Sequence, residues 1–133
     1  MQDLIRKAIE AREKSYCPYS GFAVGAALLT RSGKIYTGAN IENAAFTPTN
    51  CAERTAFFKA VSEGERDFSA IAIAGGKKGE EPRDYVTPCG VCRQVMREFC
   101  PDSFKIYSVR SDDDYKEYSL GELFPEGFGP DNL

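Results

Sequence analysis

CAERTAFFKAVSEGERDFSAIAIA, residues 51–74, reads as a helix followed by a short buried strand. Ala52, Ala56, Ala60 and Val61 recur at helical spacing, which predicts a helix from Cys51 to Glu63 with Asn50 at its N-cap. SAIAIA, residues 69–74, is almost wholly apolar, the pattern of a strand covered on both faces. The same order then returns. A polar loop from Gly75 to Val86 leads to a helix that starts near Pro88 to Gly90 and stops at Cys100-Pro101, and a strand follows from Phe104 to Val109. Upstream, Leu4, Ile5, Ala8 and Ile9 form the apolar stripe of a helix over 2–15, which Cys17-Pro18-Tyr19-Ser20-Gly21 breaks. FAVGAALLT (22–30), a turn at Arg31-Ser32-Gly33-Lys34 and a strand from Lys34 to Ala39 make a hairpin. Tyr115 to Leu120 adds a fifth strand, and the Gly- and Pro-containing tail from Gly121 to Leu133 wraps over a surface. Two βαβ crossovers after an opening hairpin predict an α/β fold, a three-layer α/β/α sandwich around a five-stranded mixed sheet, with residues 1–133 as a single domain.

Composition narrows the function. The chain has 133 residues, 42% hydrophobic and 28% charged, the proportions of a globular protein with a sizeable core. No apolar run approaches the roughly 20 residues that span a bilayer, and no secretory signal is read at the start, so no membrane partner is expected. Lys and Arg number 17 against 20 Asp and Glu, with no basic stripe, so no nucleic-acid partner is expected either. The expected substrate is small and close to uncharged.

There is no histidine, and this excludes Ser-His, Cys-His and His-ligated chemistry at once. The odd number of cysteines, five, suits metal ligation better than a disulfide framework and points to a reducing, cytoplasmic setting. Cys51, Cys89 and Cys92 are three soft ligands for Zn²⁺, one short of a closed tetrahedron, so water can take the fourth position. Both cysteine elements open helices, where partial positive charge favours thiolate over thiol. Glu53 lies two residues from Cys51, within reach of that water as a proton acceptor. Three thiolates around one Zn²⁺ leave a net charge of −1, and Arg54 and Arg93 are the candidates to offset it by hydrogen bonding to sulfur.

Plainer readings compete. Asn50-x-x-Glu53 also fits a variant capping box, in which the acid only satisfies a helix-start N–H. A redox dithiol explains Cys89-Gly90-Val91-Cys92 but leaves Cys51 and Glu53 without a role. A closed structural zinc site needs a fourth ligand; Cys100 lies roughly 12 Å beyond Cys92 along a helix, while Cys17, in a loop, is open on geometry. Gly75-Gly76-Lys77-Lys78-Gly79 lacks the spacing of a phosphate loop. Phe22, Phe46 and Phe128 are by default core or interface aromatics.

Cys51-Ala52-Glu53 with Pro88-Cys89-x-x-Cys92 resembles the zinc nucleoside deaminase signature. Pro18-Tyr19-Ser20-x-Phe22-x-Val24-Gly25-Ala26-Ala27, Gly38-x-Asn40-Ile41-Glu42-Asn43-Ala44, Asn50 to Ala56, Pro88 to Gln94 and Glu122-Leu123-x-Pro125-x-x-Phe128 are similar to the small cytidine deaminases over nearly the whole chain. The resemblance implies one catalytic zinc per subunit on Cys51, Cys89 and Cys92, with Glu53 moving protons between water, ring N3 and the departing ammonia. It implies attack at C4 of cytidine or deoxycytidine to give uridine or deoxyuridine, a step of pyrimidine salvage. The Ala52 N–H would meet the base O2, Asn40 and Glu42 a ribose hydroxyl, and Phe22 would line the base pocket. It further implies a homotetramer in which Phe128, with Phe46, crosses an interface; Phe46 stands where relatives often carry tyrosine and lacks that hydroxyl.

Three alternatives stay distinct. A blasticidin-type deaminase shares the zinc motifs, but Asn40-x-Glu42-Asn43 argues for a nucleoside sugar. A polynucleotide deaminase conflicts with the acidic balance, and a non-catalytic zinc module leaves Glu53 idle.

Overall fold

The computed structural model describes residues 1–133. Along its central strand, β3 (Phe68–Lys77), isoleucine and alanine alternate, and the two faces they make differ in depth. Ile71 and Ile73 join Phe57, Met96 and Ile106 in one buried cluster, whereas Ala70, Ala72 and Ala74 join Leu4, Ile5 and Ala8 in another. The large side chains accommodate two helices, α2 (Ala52–Ser62) and α3 (Gly90–Phe99). The small ones let a single helix, α1 (Gln2–Ala11), lie close on the opposite face. The predicted α/β/α layering is the result. Phe57 anchors the deeper side, with ring centroids 5.2 Å from Phe68 and 6.1 Å from Phe104. Truncating such a ring costs about 3–5 kcal/mol, a large part of a typical domain's stability.

The sheet also contains β1 (Phe22–Thr30), β2 (Ile35–Ala39), β4 (Lys105–Ser111) and β5 (Asp114–Ser119), in the order β2-β1-β3-β4-β5. Only β3 and β4 pair in parallel. Since β2 and β3 are both antiparallel to β1, they run in the same direction. The carboxyl ends of both strands therefore lie at the same end of the sheet, where the chain leaves them before entering α2 and α3.

Glycine sets how near the helices come. A Cβ on Gly25 of β1 would stand 2.1 Å from the Ala8 carbonyl oxygen, so α1 rests directly on that strand. A Cβ on Gly38 of β2 would stand 2.5 Å from the Ala52 oxygen and 2.6 Å from the Ala56 nitrogen, so the first turn of α2 is seated against β2.

Several boundaries differ from the sequence expectation. The first helix gives way after Ala11 to a 3₁₀ turn, Arg12–Lys14, where the Arg12 side chain donates to the carbonyls of Ala23, Lys77 and Glu80. β3 runs on through Gly75, Gly76 and Lys77, read above as loop, because β1 continues to supply partners in Val24, Ala23 and Phe22. The N-cap of α2 is Cys51, not Asn50, whose amide instead donates to the Thr55 hydroxyl at 3.2 Å. Phe57 joins Ala52, Ala56 and Ala60 on the inner face of α2, while Val61 is only half-buried. The tail holds a short helix, α4 (Leu120–Leu123), closed by reciprocal hydrogen bonds between Ser119 and Glu122. Beyond it the tail lies along α3, where the Phe128 carbonyl accepts from Gln94 at 2.8 Å.

Candidate metal centre and active site

Cys51 and Cys89 occupy the N-cap positions of α2 and α3, both with extended backbone, and neither side chain caps its own helix. The two sulfurs are thereby free to turn outward. They lie 3.9 Å apart although 38 residues separate them, and Cys92, in the first turn of α3, places its sulfur 3.5 Å from Cys89. All three Sγ atoms fall within 4.8 Å of one another. Zinc–sulfur bonds of about 2.3 Å at tetrahedral angles put sulfurs roughly 3.8 Å apart, so the donor set fits zinc. Cys100 sits in the core against Phe57, where burial pushes its thiol up to about 12, and Cys17 is buried away from the cluster. No fourth side chain closes the site.

Hydrogen bonding with Cys92, and then with Arg54, brings Cys51 down to about 5 against the opposing effect of burial. The hydrogen bond to that negative sulfur, reinforced by burial, pushes Cys92 upward. Arg54 Nη2 donates to Cys51 Sγ at 3.2 Å, while its Nε is buried with no hydrogen-bond partner. Half of the proposed counter-charge is thus placed where expected.

Glu53 is 5% exposed, and burial pushes its carboxyl up to about 7, with the negative Cys51 adding to the effect. No reciprocal capping box forms at the start of α2, although the carboxyl interacts with its own main-chain N–H, which works against the rise and is outweighed by burial. A carboxyl held near neutrality can take up and give back a proton in one cycle. Glu53 opens on a cavity of about 320 Å³ that also meets Cys51, Cys89 and Ala52. Phe22, Val24, Ile73 and Val86 supply its apolar lining, and Asn40, Thr49, Asn50 and Thr87 its polar groups. Its volume matches a small organic ligand.

A family model described as the cytidine and deoxycytidylate deaminase zinc-binding region matches residues 1–108. A cytidine deaminase from Sporosarcina psychrophila is 48% identical over 133 residues, covering 100% of this chain and 94% of that protein. A cytidine deaminase from Halalkalibacterium halodurans is 51% identical, covering 99% of this chain and 96% of that one. The crystal structure of cytidine deaminase from Burkholderia pseudomallei superimposes with a TM-score of 0.85 at 44% identity, over 95% of this chain and 97% of that chain. The chain belongs to the cytidine deaminase family. Zinc is the cofactor of this deaminase domain, in agreement with the donor set.

For this deaminase the cavity gathers Cys51, Cys89, Glu53, Ala52, Phe22 and Asn40, with Cys92 behind them in the sulfur cluster. Asn40 is already engaged: its Oδ1 accepts from the Val24 N–H at 2.9 Å and from the Ser15 hydroxyl, and its Nδ2 donates to the Phe22 carbonyl at 2.8 Å. One amide hydrogen remains for a ligand. Glu42 and Phe128 do not line the cavity within the subunit. Glu42 accepts from the N–H groups of Tyr19 and Ser20 at 3.0 and 3.1 Å and from the Ser20 hydroxyl, bonds that lower its pKa, the hydroxyl foremost. Phe128 is 57% exposed; Phe46, 71% exposed with φ 62°, meets the Tyr19 ring edge-on.

Arg93 does not reach sulfur. Its Nε donates to the Pro88 carbonyl at 2.7 Å, its Nη2 to the Thr87 hydroxyl at 3.2 Å and its Nη1 to the Leu123 carbonyl. The Pro88 carbonyl precedes the helix and receives no main-chain N–H, so a side-chain donor satisfies it. Sequence reading passed over Thr49, Asn50, Val86 and Thr87 as site residues. Their adjacency to the two cysteine motifs was the available signal.

Proposed function

We propose that the chain hydrolyses cytidine and deoxycytidine to uridine and deoxyuridine with release of ammonia, residues 1–133 acting as one catalytic unit. The observation that carries this reading is a buried carboxyl, Glu53, held near neutrality and opening on a cavity beside three converging sulfurs that lack a fourth protein partner. Cys51, Cys89 and Cys92 hold the zinc, which as a Lewis acid makes water a competent nucleophile near neutral pH. Water adds at C4 and the C4–NH₂ bond breaks, so cytidine and water give uridine and ammonia. Glu53 accepts a proton from that water, delivers it to ring N3 and then assists the amine to depart as ammonia. Ala52 presents its N–H to the base O2, at the helix start where N–H groups are unpaired. Phe22 packs on the base, and Asn40 spends its remaining N–H on a sugar hydroxyl. Arg54 supports the thiolates and offsets the excess negative charge of a Zn²⁺ held by three of them.

Glu42 joins Asn40 on a ribose hydroxyl, and Phe128 acts in the assembled protein, a homotetramer in which neighbouring subunits complete each site. The exposed rings of Phe46 and Phe128, neither of which lines the cavity of its own subunit, support this. Five cysteines without a disulfide, three of them gathered for metal, support a reducing cytoplasm, and the conversion of cytidine to uridine supports a salvage role. Turnover of cytidine, followed by the absorbance change to uridine beside zinc analysis of the same sample, tests the reading. Absence of turnover by zinc-loaded protein overturns it, and turnover of blasticidin S alone would transfer the assignment to that substrate.

A further inference from the structure

Residues 78–89 link β3 to α3 without regular structure, yet they carry Val86 and Thr87 of the cavity and the ligand candidate Cys89. Something outside the segment must fix its last residues. Ser108 of β4 donates to the Val86 carbonyl, and Arg93, one turn inside α3, holds the two residues immediately before Cys89 by donating to Thr87 and Pro88. The same guanidinium donates to Leu123 at the end of α4, and the next residue, Gln94, holds the Phe128 carbonyl at 2.8 Å. Arg93 forms no ion pair with a carboxylate; all its acceptors are neutral oxygens of segments that have no other bond to each other there. Arginine's planar fork can serve three acceptors in fixed directions at once, which the single ammonium of lysine cannot.

We propose that Arg93 is a positioning residue that locks the Thr87-Pro88-Cys89 segment to the C-terminal tail, so that the tail helps hold Cys89 on the metal. The proposal rests on the ligand set given above. Coupling between two sites is reciprocal: if the tail holds the metal loop, metal occupancy must steady the tail.

Zinc release from the loaded protein into excess chromogenic chelator, compared for wild type, Arg93→Lys, Arg93→Gln and Leu4→Ala, tests it. Leu4 lies in the buried cluster on the opposite face of the sheet, so Leu4→Ala controls for a general loss of stability. Both Arg93 variants should release zinc about tenfold faster, the size found for residues that orient metal ligands. Leu4→Ala should release it at the wild-type rate. In cobalt-loaded protein, the thiolate charge-transfer band should shift in the Arg93 variants and stay in place in Leu4→Ala. Hydrogen exchange at residues 121–128 should slow on zinc loading of wild type and lose that response in Arg93→Lys. Arg93 variants that release zinc at the wild-type rate, or a Leu4→Ala protein that releases it equally fast, overturn the proposal. Should Arg93→Gln fail to fold, Arg93→Lys decides the matter alone. A wild-type protein that binds no zinc through its thiols refutes the ligand set instead, so the two failures are distinguishable.

Discussion

Glu53→Gln separates the proton shuttle from a merely structural carboxyl, because glutamine keeps the volume and one set of hydrogen bonds but cannot transfer a proton. Loss of a positioned general acid–base removes about 10²–10⁴-fold in rate, and Glu53 is asked to serve more than one transfer. Turnover should therefore fall about 10³-fold or more, while the variant retains one zinc per chain and binds cytidine within a few-fold of wild type. Stability gives a second, independent readout. Burial raises the Glu53 carboxyl from its ordinary 4.5 to about 7, so the folded protein holds its proton more tightly than the unfolded chain. Between those two values the unfolded chain binds fewer protons, and stability falls as pH rises, by ~1.4 kcal/mol per unit. The contribution is whole below about pH 4.5 and gone above about pH 7, a loss of roughly 3 kcal/mol. Denaturant titrations of chelator-stripped protein at pH 4.5 and pH 8 should show wild type losing roughly 3 kcal/mol relative to the glutamine variant. Parallel stability curves, or a variant that deaminates at the wild-type rate, would refute the assignment of Glu53.

Arg54→Gln removes the donor to Cys51 Sγ and a positive charge, so the pH–rate profile should shift to higher pH and kcat should drop; an unaltered profile counts against the counter-charge role. Asn40→Ala orphans the Val24 N–H and the Phe22 carbonyl and deletes the remaining amide hydrogen, which should cost about 1–3 kcal/mol in denaturant titration and raise KM more than it lowers kcat. Gly38→Ala drives a methyl against the Ala52 oxygen, so Tm should fall by the equivalent of about 1–3 kcal/mol, with faster zinc loss as the start of α2 shifts. A stable variant with unchanged zinc retention would mean that the seating of α2 on β2 does not position Cys51.

Where local pattern and tertiary packing agreed, the sequence was readable. SAIAIA has the pattern of a strand covered on both sides, and both cysteine motifs carry the signals of helix starts. Misreadings fell where a distant partner overrode a local cue. Gly75-Gly76 looks like a break, but β1 is long enough to pair with it. Asn50 is a better capping residue than Cys51 by composition, yet its backbone is bridged to Ile41, which leaves Cys51 to open the helix. Arg93 was misassigned because one-dimensional proximity to a cysteine carries no direction, and its strongest demand came from carbonyls with no other donor. The sequence points Asn40 at a sugar hydroxyl; its three further bonds, to Ser15 and to Phe22 and Val24 of β1, appear only in three dimensions.

Strand direction explains why so few residues suffice. β2 and β3 both run antiparallel to the strand between them, so the loops after them leave at one end of the sheet and the helices that follow both start there. Ligand sites in open α/β sheets form at such carboxyl ends, where helix N-termini offer unpaired N–H groups and partial positive charge. That geometry brings the sulfurs of Cys51 and Cys89 together and leaves an N–H donor at Ala52, without any histidine. Burial raises the Glu53 carboxyl to about 7, outweighing the downward pull of its own helix-start N–H; Gly38 permits the close seating of the first turn of α2 that carries Glu53. Packing and catalysis are therefore coupled at one contact. A substitution that lifts α2 by a few tenths of an ångström would hydrate Glu53, lower its pKa and move Cys51, so that activity fails before the fold does.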